Sequence, residues 1–80
     1  PFVESVSAIP NPTQEFVVIN GINAAFKLVE FYDSKNNLLK SIVGDIRGQQ
    51  VSIDFVPGIY IIKVTDVNNV IYFKKIAVIK

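Results

Sequence analysis

Seven carboxylates, three tyrosines and eight basic side chains are the titratable groups of this 80-residue sequence, which holds no His, Cys, Trp or Met. Without His, the commonest general base near neutral pH is missing. Without Cys, a thiol nucleophile and a zinc site are excluded, and disulfides cannot report the redox compartment. No carboxylate stands in a spacing that would activate it. Asp33-Ser34-Lys35-Asn36-Asn37 opens like a calcium loop, but Lys35 stands where a ligand oxygen is required and no Glu closes the set. Asp66-Val67-Asn68-Asn69 is equally thin, and both stretches read as turns. Asn20-Gly21 is not a phosphate loop, because no helix follows to supply a dipole. Asn11-Pro12-Thr13 would be a glycosylation sequon if Pro12 did not block it. Lys74-Lys75 is too short for a nucleic-acid patch, even with Tyr60, Tyr72 and Phe73 in the same region. An enzyme reading is therefore poor, and no cofactor, metal or nucleic-acid site is expected.

The elements that must position these groups are strands. Residues 2–9 alternate apolar with polar and predict a first strand, stopped by Pro10-Asn11-Pro12-Thr13, where two prolines fix φ and remove two donors. Glu15–Ile19 predicts a second, closed by Asn20-Gly21, with Val17 and Ile19 on one face and Phe16 and Val18 on the other. Ala24–Asp33 predicts a third, and Asn36 or Asn37 can supply the left-handed residue of the turn after it. Leu38–Val43 predicts a fourth, followed by a loop over residues 44–48. Gln49–Val56 shows the cleanest alternation, with Val51, Ile53 and Phe55 against Ser52 and Asp54.

The last third is the strongest β-unit. Pro57-Gly58 opens it, and two β-branched and aromatic runs, Ile59–Thr65 and Val70–Lys80, flank the Asp/Asn cluster as a hairpin. Seven short strands with turn chemistry in every gap, and no convincing helical window, predict an all-β, seven-stranded immunoglobulin-like β-sandwich.

Bulk composition agrees with a small single domain. Half the residues are hydrophobic and the mean hydropathy is +0.39, which excludes disorder. A chain of this length buries roughly 60 % of its unfolded surface. No apolar run approaches the roughly 20 residues of a membrane-spanning helix. The net charge of +1 creates no general field for nucleic acid or anionic membrane. From Pro57 onward, however, Lys63, Lys74, Lys75 and Lys80 face a lone carboxylate, Asp66. Those lysines read either as protection of an edge strand against aggregation or as a partner-reading surface. Several strands carry apolar residues on both faces. A bulge at Lys74-Lys75 that resets the register would explain this in the last strand; an outer apolar patch that docks to a partner is the other reading. The start at Pro1-Phe2, without Met, is expected of a module cut from a longer polypeptide.

Five segments in order carry a resemblance. They are Ile9-Pro10-Asn11-Pro12-Thr13, Val18-Ile19-Asn20-Gly21, Val29-Glu30-Phe31-Tyr32-Asp33, Pro57-Gly58-Ile59-Tyr60-Ile61-Ile62-Lys63-Val64 and Tyr72-Phe73-Lys74-Lys75-Ile76. Over Val6 to Lys80 this order resembles the type A C-terminal sorting domain of the type IX secretion system of Bacteroidetes. That family typically has Tyr where Ile9 stands, and Gly in the middle turn where Asn36 or Asn37 stands; both replacements keep the local role.

The resemblance implies a folded, non-catalytic signal at the end of a secreted cargo protein. It implies passage through the periplasm, an outer-membrane translocon and a cell-surface sortase as partners, N-terminal cargo domains, and a secreted or cell-surface destination. It points to Pro10, Asn11, Pro12, Gly58, Tyr60, Lys63, Lys74, Lys75 and Lys80 as recognition or motif residues. The prolines and Gly58 would set turn geometry, and Tyr60 would pack in the core with its hydroxyl satisfied at the rim. The lysines would make contacts, with Lys80 and its terminal carboxylate the point of most direct reading. An uncovered last strand would pair with that of a second copy when the domain is isolated. Two other classes compete: an adhesive or carbohydrate-binding sandwich, disfavoured by the lack of Trp, and a passive spacer.

Overall fold

Alternation over the strand segments places one apolar row inward and so requires two sheets around a shared core. The computed structural model describes residues 2–3, 6–21 and 23–79, the first two by backbone alone. Eight elements follow in order: β1 (Phe2–Val3), β2 (Ser7–Ile9), β3 (Phe16–Asn20), β4 (Phe26–Asp33), β5 (Leu38–Val43), β6 (Gln50–Ser52), β7 (Gly58–Asp66) and β8 (Ile71–Val78). No helix occurs among the described residues. One sheet is three-stranded and antiparallel, in the order β2-β3-β6. The other has four antiparallel strands, β8-β7-β4-β5, and β1 joins its β8 edge in parallel. This is an all-β, sandwich-like architecture.

The expected seven strands become eight elements because the first is divided between the sheets. Phe2–Val3 pairs with Ile71–Tyr72, whereas Ser7–Ile9 pairs with Val18–Asn20. One covalent segment thus borders both layers. The fifth strand is shorter than its alternation predicts, since only Gln50–Ser52 lies in the ladder. Beyond it, Ile53 N–H donates to the Glu15 carbonyl at 2.8 Å. The alternation itself holds: Val51 and Ile53 are buried, Phe55 packs against the core, and Ser52 and Asp54 are exposed.

The core draws on both sheets. Val17 and Ile19 of β3 meet Val29 and Phe31 of β4 and Ile62 and Val64 of β7, all fully buried. Phe55 stands edge-on to Phe31 with centroids 5.8 Å apart, and packs on Tyr60 at 4.9 Å. The β7–β8 register runs without a shift from Gly58↔Val78 to Thr65↔Ile71. The bulge at Lys74-Lys75, one of the two readings of this strand's apolar faces, is therefore absent, and the two lysines fall on opposite faces of β8.

Candidate recognition site

Two prolines around one asparagine leave that loop short of backbone donors, because Pro10 and Pro12 have no N–H. The Asn11 side-chain amide, which offers a donor and an acceptor side by side, makes up the deficit. Its Nδ2 donates to the Lys75 carbonyl at 3.2 Å, and its Oδ1 accepts from Ala77 N–H at 3.1 Å. Thr13 continues the contact with its own backbone: its N–H donates to the Ala77 carbonyl at 2.9 Å, and its carbonyl accepts from Ile79 N–H at 2.8 Å. Thr13 is 1 % exposed, and its hydroxyl donates to the Phe16 carbonyl. Both X–Pro bonds, Ile9–Pro10 and Asn11–Pro12, are cis.

Pro10-Asn11-Pro12-Thr13 is thus a clamp on the last strand as well as a strand terminator. Lys75 and Ala77 of β8 alternate with Ile79 just beyond it, so their outward backbone groups are the ones a further strand would take. The clamp occupies them, and β1 occupies the other end of the same edge. The premise of an uncovered last strand does not hold. Beside the clamp, Pro10, Pro12, Gln14, Glu15, Phe16 and Ile79 line an open groove of about 370 Å³. Four of its six lining residues are apolar, against Gln14 and Glu15.

The other expected site residues are not gathered in that groove. Gly58 is the first residue of β7, opposite Val78. Its φ is not among the positive values, and a Cβ there would meet the Tyr60 ring at an ordinary 3.7 Å, so Gly58 sets no special turn geometry. Tyr60 is 5 % exposed and its hydroxyl donates to the Val56 carbonyl, as expected of a rim-satisfied core tyrosine. Lys63 lies on the outer face of β7, with Nζ 3.9 Å from the Glu30 carboxylate. Lys74 shares the inward parity of Tyr72 and Ile76 and is half-buried opposite Ile62. Lys75 is exposed on the outer face opposite Ile61. The lysines therefore form no single patch: a period of two sends neighbouring residues to opposite faces. Lys80 lies outside the described residues.

The strongest local electrostatics are structural. Arg47 forks onto Asp45, with Nε and Nη2 each 2.9 Å from a carboxylate oxygen. This fork, supported by Phe26 N–H, holds the Asp45 pKa down to about 2 and ties the 44–48 loop to the start of β4. Asp66, 1 % exposed, accepts Asn68 N–H at 2.8 Å, Val70 N–H at 3.0 Å and the Tyr72 hydroxyl at 3.0 Å. Burial pushes its pKa up, but the bonds from Val70, Tyr72 and Asn68 together outweigh burial and leave it below the usual carboxylate value. Burial, and then the Asp66 carboxylate, raises the Tyr72 phenol.

Sequence reasoning missed the contact between Asn11 and β8, 64 to 66 residues away. The available signal was the missing donors of the two prolines, which leaves Asn11 as the side chain able to imitate a strand residue.

No family model, curated protein or solved structure matches this chain.

Proposed function

We propose that this chain is a non-catalytic signal domain of the type A C-terminal sorting class, read by a type IX secretion machinery at the outer membrane. The observation that carries the proposal is the Asn11 clamp. The first and last segments of the resemblance, Pro10-Asn11-Pro12-Thr13 and Tyr72–Ile76 with the strand that follows, meet as one hydrogen-bonded unit. The unit sits beside a groove that includes Ile79. A signal read as a folded object gains from such a unit, because the reader meets a fixed surface and does not have to order a tail.

The finer reading of the fold is immunoglobulin-like. The strand orders β2-β3-β6 and β8-β7-β4-β5, and a first segment that changes sheets, favour it. So does the bond from the Tyr60 hydroxyl to the carbonyl four residues upstream, near the start of β7. This contact has the form of the tyrosine corner of such sandwiches. Outer-membrane translocon and sortase components are the partners on this reading, and the destination is the cell surface or the medium, reached through the periplasm.

The test fuses the chain behind a periplasmically exported reporter in a bacterium with an active type IX system. The intact fusion should appear outside the cell, whereas removal of Ile79-Lys80, or Asn11→Ala with Thr13→Ala, should leave the reporter in the periplasm. Export of the truncated fusion at the level of the intact one would refute the reading.

A further inference from the structure

The outer face of the four-stranded sheet carries large apolar side chains among Ser41, Thr65 and the exposed Lys75. Leu28 and Tyr32 of β4, Ile61 of β7 and Ile71 of β8 are half-buried there, and Val43 of β5 is 84 % exposed. Near the midline, between β4 and β7, stands a cross-strand pair of opposite charge, Glu30 and Lys63, with 16 % and 30 % of their side chains accessible. The two are 3.9 Å apart, and the Glu30 carboxylate is also hydrogen-bonded by the Tyr32 side chain.

From this pattern we infer that the β5-β4-β7-β8 face is a self-association surface whose occupant is a second copy of this chain. The argument is one of symmetry. A two-fold axis running along the strands, between β4 and β7 and in the plane separating two stacked sheets, lays β4 over the partner's β7 and β5 over its β8. Cross-strand neighbours keep their row under that operation. Glu30 then faces the second copy's Lys63 and the reverse, Tyr32 faces Ile61, and Val43 faces Ile71. Every charge at the centre meets its opposite twice, as an isologous interface requires. The facing strands then share one axis and run antiparallel, which matches the aligned mode of sheet packing.

The size of the face sets the strength. Four strands about 4.8 Å apart and about eight residues long span roughly 500 Å². The dimer would bury on the order of 1,000 Å² in total, at the weak end of specific interfaces. Association is accordingly reversible and concentration-dependent. It does not depend on the secretion reading, since it uses a different face from the Asn11 clamp.

Sedimentation equilibrium of the 80-residue chain, from low micromolar to about millimolar concentration, tests the inference. The chain should pass from one to two copies. Glu30→Lys alone and Lys63→Glu alone should each weaken association roughly tenfold or more, because like charges then face each other twice. An equimolar mixture of these two variants should dimerise again, as should the double exchange. Val43→Lys, at a position already open to solvent, should weaken the dimer while leaving the thermal transition of the monomer in place. A chain that stays monomeric at millimolar concentration overturns the inference and leaves the face to a different partner. So does a dimer indifferent to Val43→Lys, or a mixture of folded single variants that does not re-associate.

Discussion

The two hairpins of the larger sheet use one turn in two settings. In the β4–β5 turn, Asp33 Oδ1 accepts Lys35 N–H and Asn37 N–H, both at 2.9 Å, and Asn36 takes φ 70°. In the β7–β8 turn, Asp66 Oδ1 accepts Asn68 N–H and Val70 N–H, and Asn69 takes φ 64°. The backbone closure is the same as well. Asn36 N–H donates to the Asp33 carbonyl at 3.1 Å, and Asn69 N–H to that of Asp66 at 3.0 Å. The difference lies in the second carboxylate oxygen and in what covers it. Asp33 is half-buried and holds the Asn37 side chain at 3.0 Å, whereas Asp66 is buried and holds the Tyr72 hydroxyl. Around the second turn, Val67 N–H also donates to the Ala25 carbonyl, and Lys27 Nζ to Asn69 Oδ1 at 2.6 Å. One turn is a local device; the other is the same device built into the core.

The largest expected separation between the two turns is Asp66→Ala against Asp33→Ala. The first strands two part-buried N–H groups and the buried Tyr72 hydroxyl and should lower the melting temperature by roughly 10 °C or more. The second exposes its donors to water and should cost well under half as much. Equal losses in thermal melts would dissolve the distinction.

Acid should sharpen it. Both aspartates have lowered folded pKa values: Asp33 mainly through the Asn37 side chain, Asp66 because its bonds outweigh burial. Their stabilisation is present above the unfolded value of about 3.9 and is lost as pH falls through the folded value. Solvent discounts the share of Asp33. The melting temperature should therefore fall below about pH 4, and Asp66→Asn should flatten that fall more than Asp33→Asn does. At the opposite extreme, the raised Tyr72 phenol favours the fold below pH 10, and this contribution disappears as pH rises through the folded value.

The smallest expected difference is at the left-handed residues. Asn36→Ala and Asn69→Ala should each cost about 1 kcal/mol, because the penalty of positive φ is borne by the backbone alone. Gly at either position should relieve it. A cost at Asn69 several times that at Asn36, measured by denaturant unfolding, would mean that the Lys27 contact matters more than the turn.

The edges of the same sheet differ in a parallel way. The β8 edge is covered by the chain's own residues, at Phe2–Val3 and at Asn11–Thr13. The β5 edge has no strand beside it among the described residues, and carries an inward-pointing Lys40 whose Nζ donates to the Ser52 carbonyl at 3.0 Å. An inward-pointing charge on an edge strand deters another strand from adding there. Asn11→Ala should cost about 1–3 kcal/mol and speed hydrogen exchange at Ala77 N–H, while Lys40→Ala should cost about 1 kcal/mol or less.

Sequence alone determined the approximate strand segments, both Asp/Asn turns and the two-residue alternation along the strands, because each depends on residues a few positions apart. The parity of Val17 and Ile19, of Val51 and Ile53, and of Tyr60 follows from a period of two, and that period survives any arrangement of the strands. Tertiary structure alone decided what depends on distant residues meeting: the division of the first strand between sheets, and the burial of Asp66 but not Asp33. It also decided the inward turn of Lys74 and the grip of Asn11 on the last strand. Local preference is written in the nearest neighbours, whereas each of these features depends on which edge or face a second segment happens to cover.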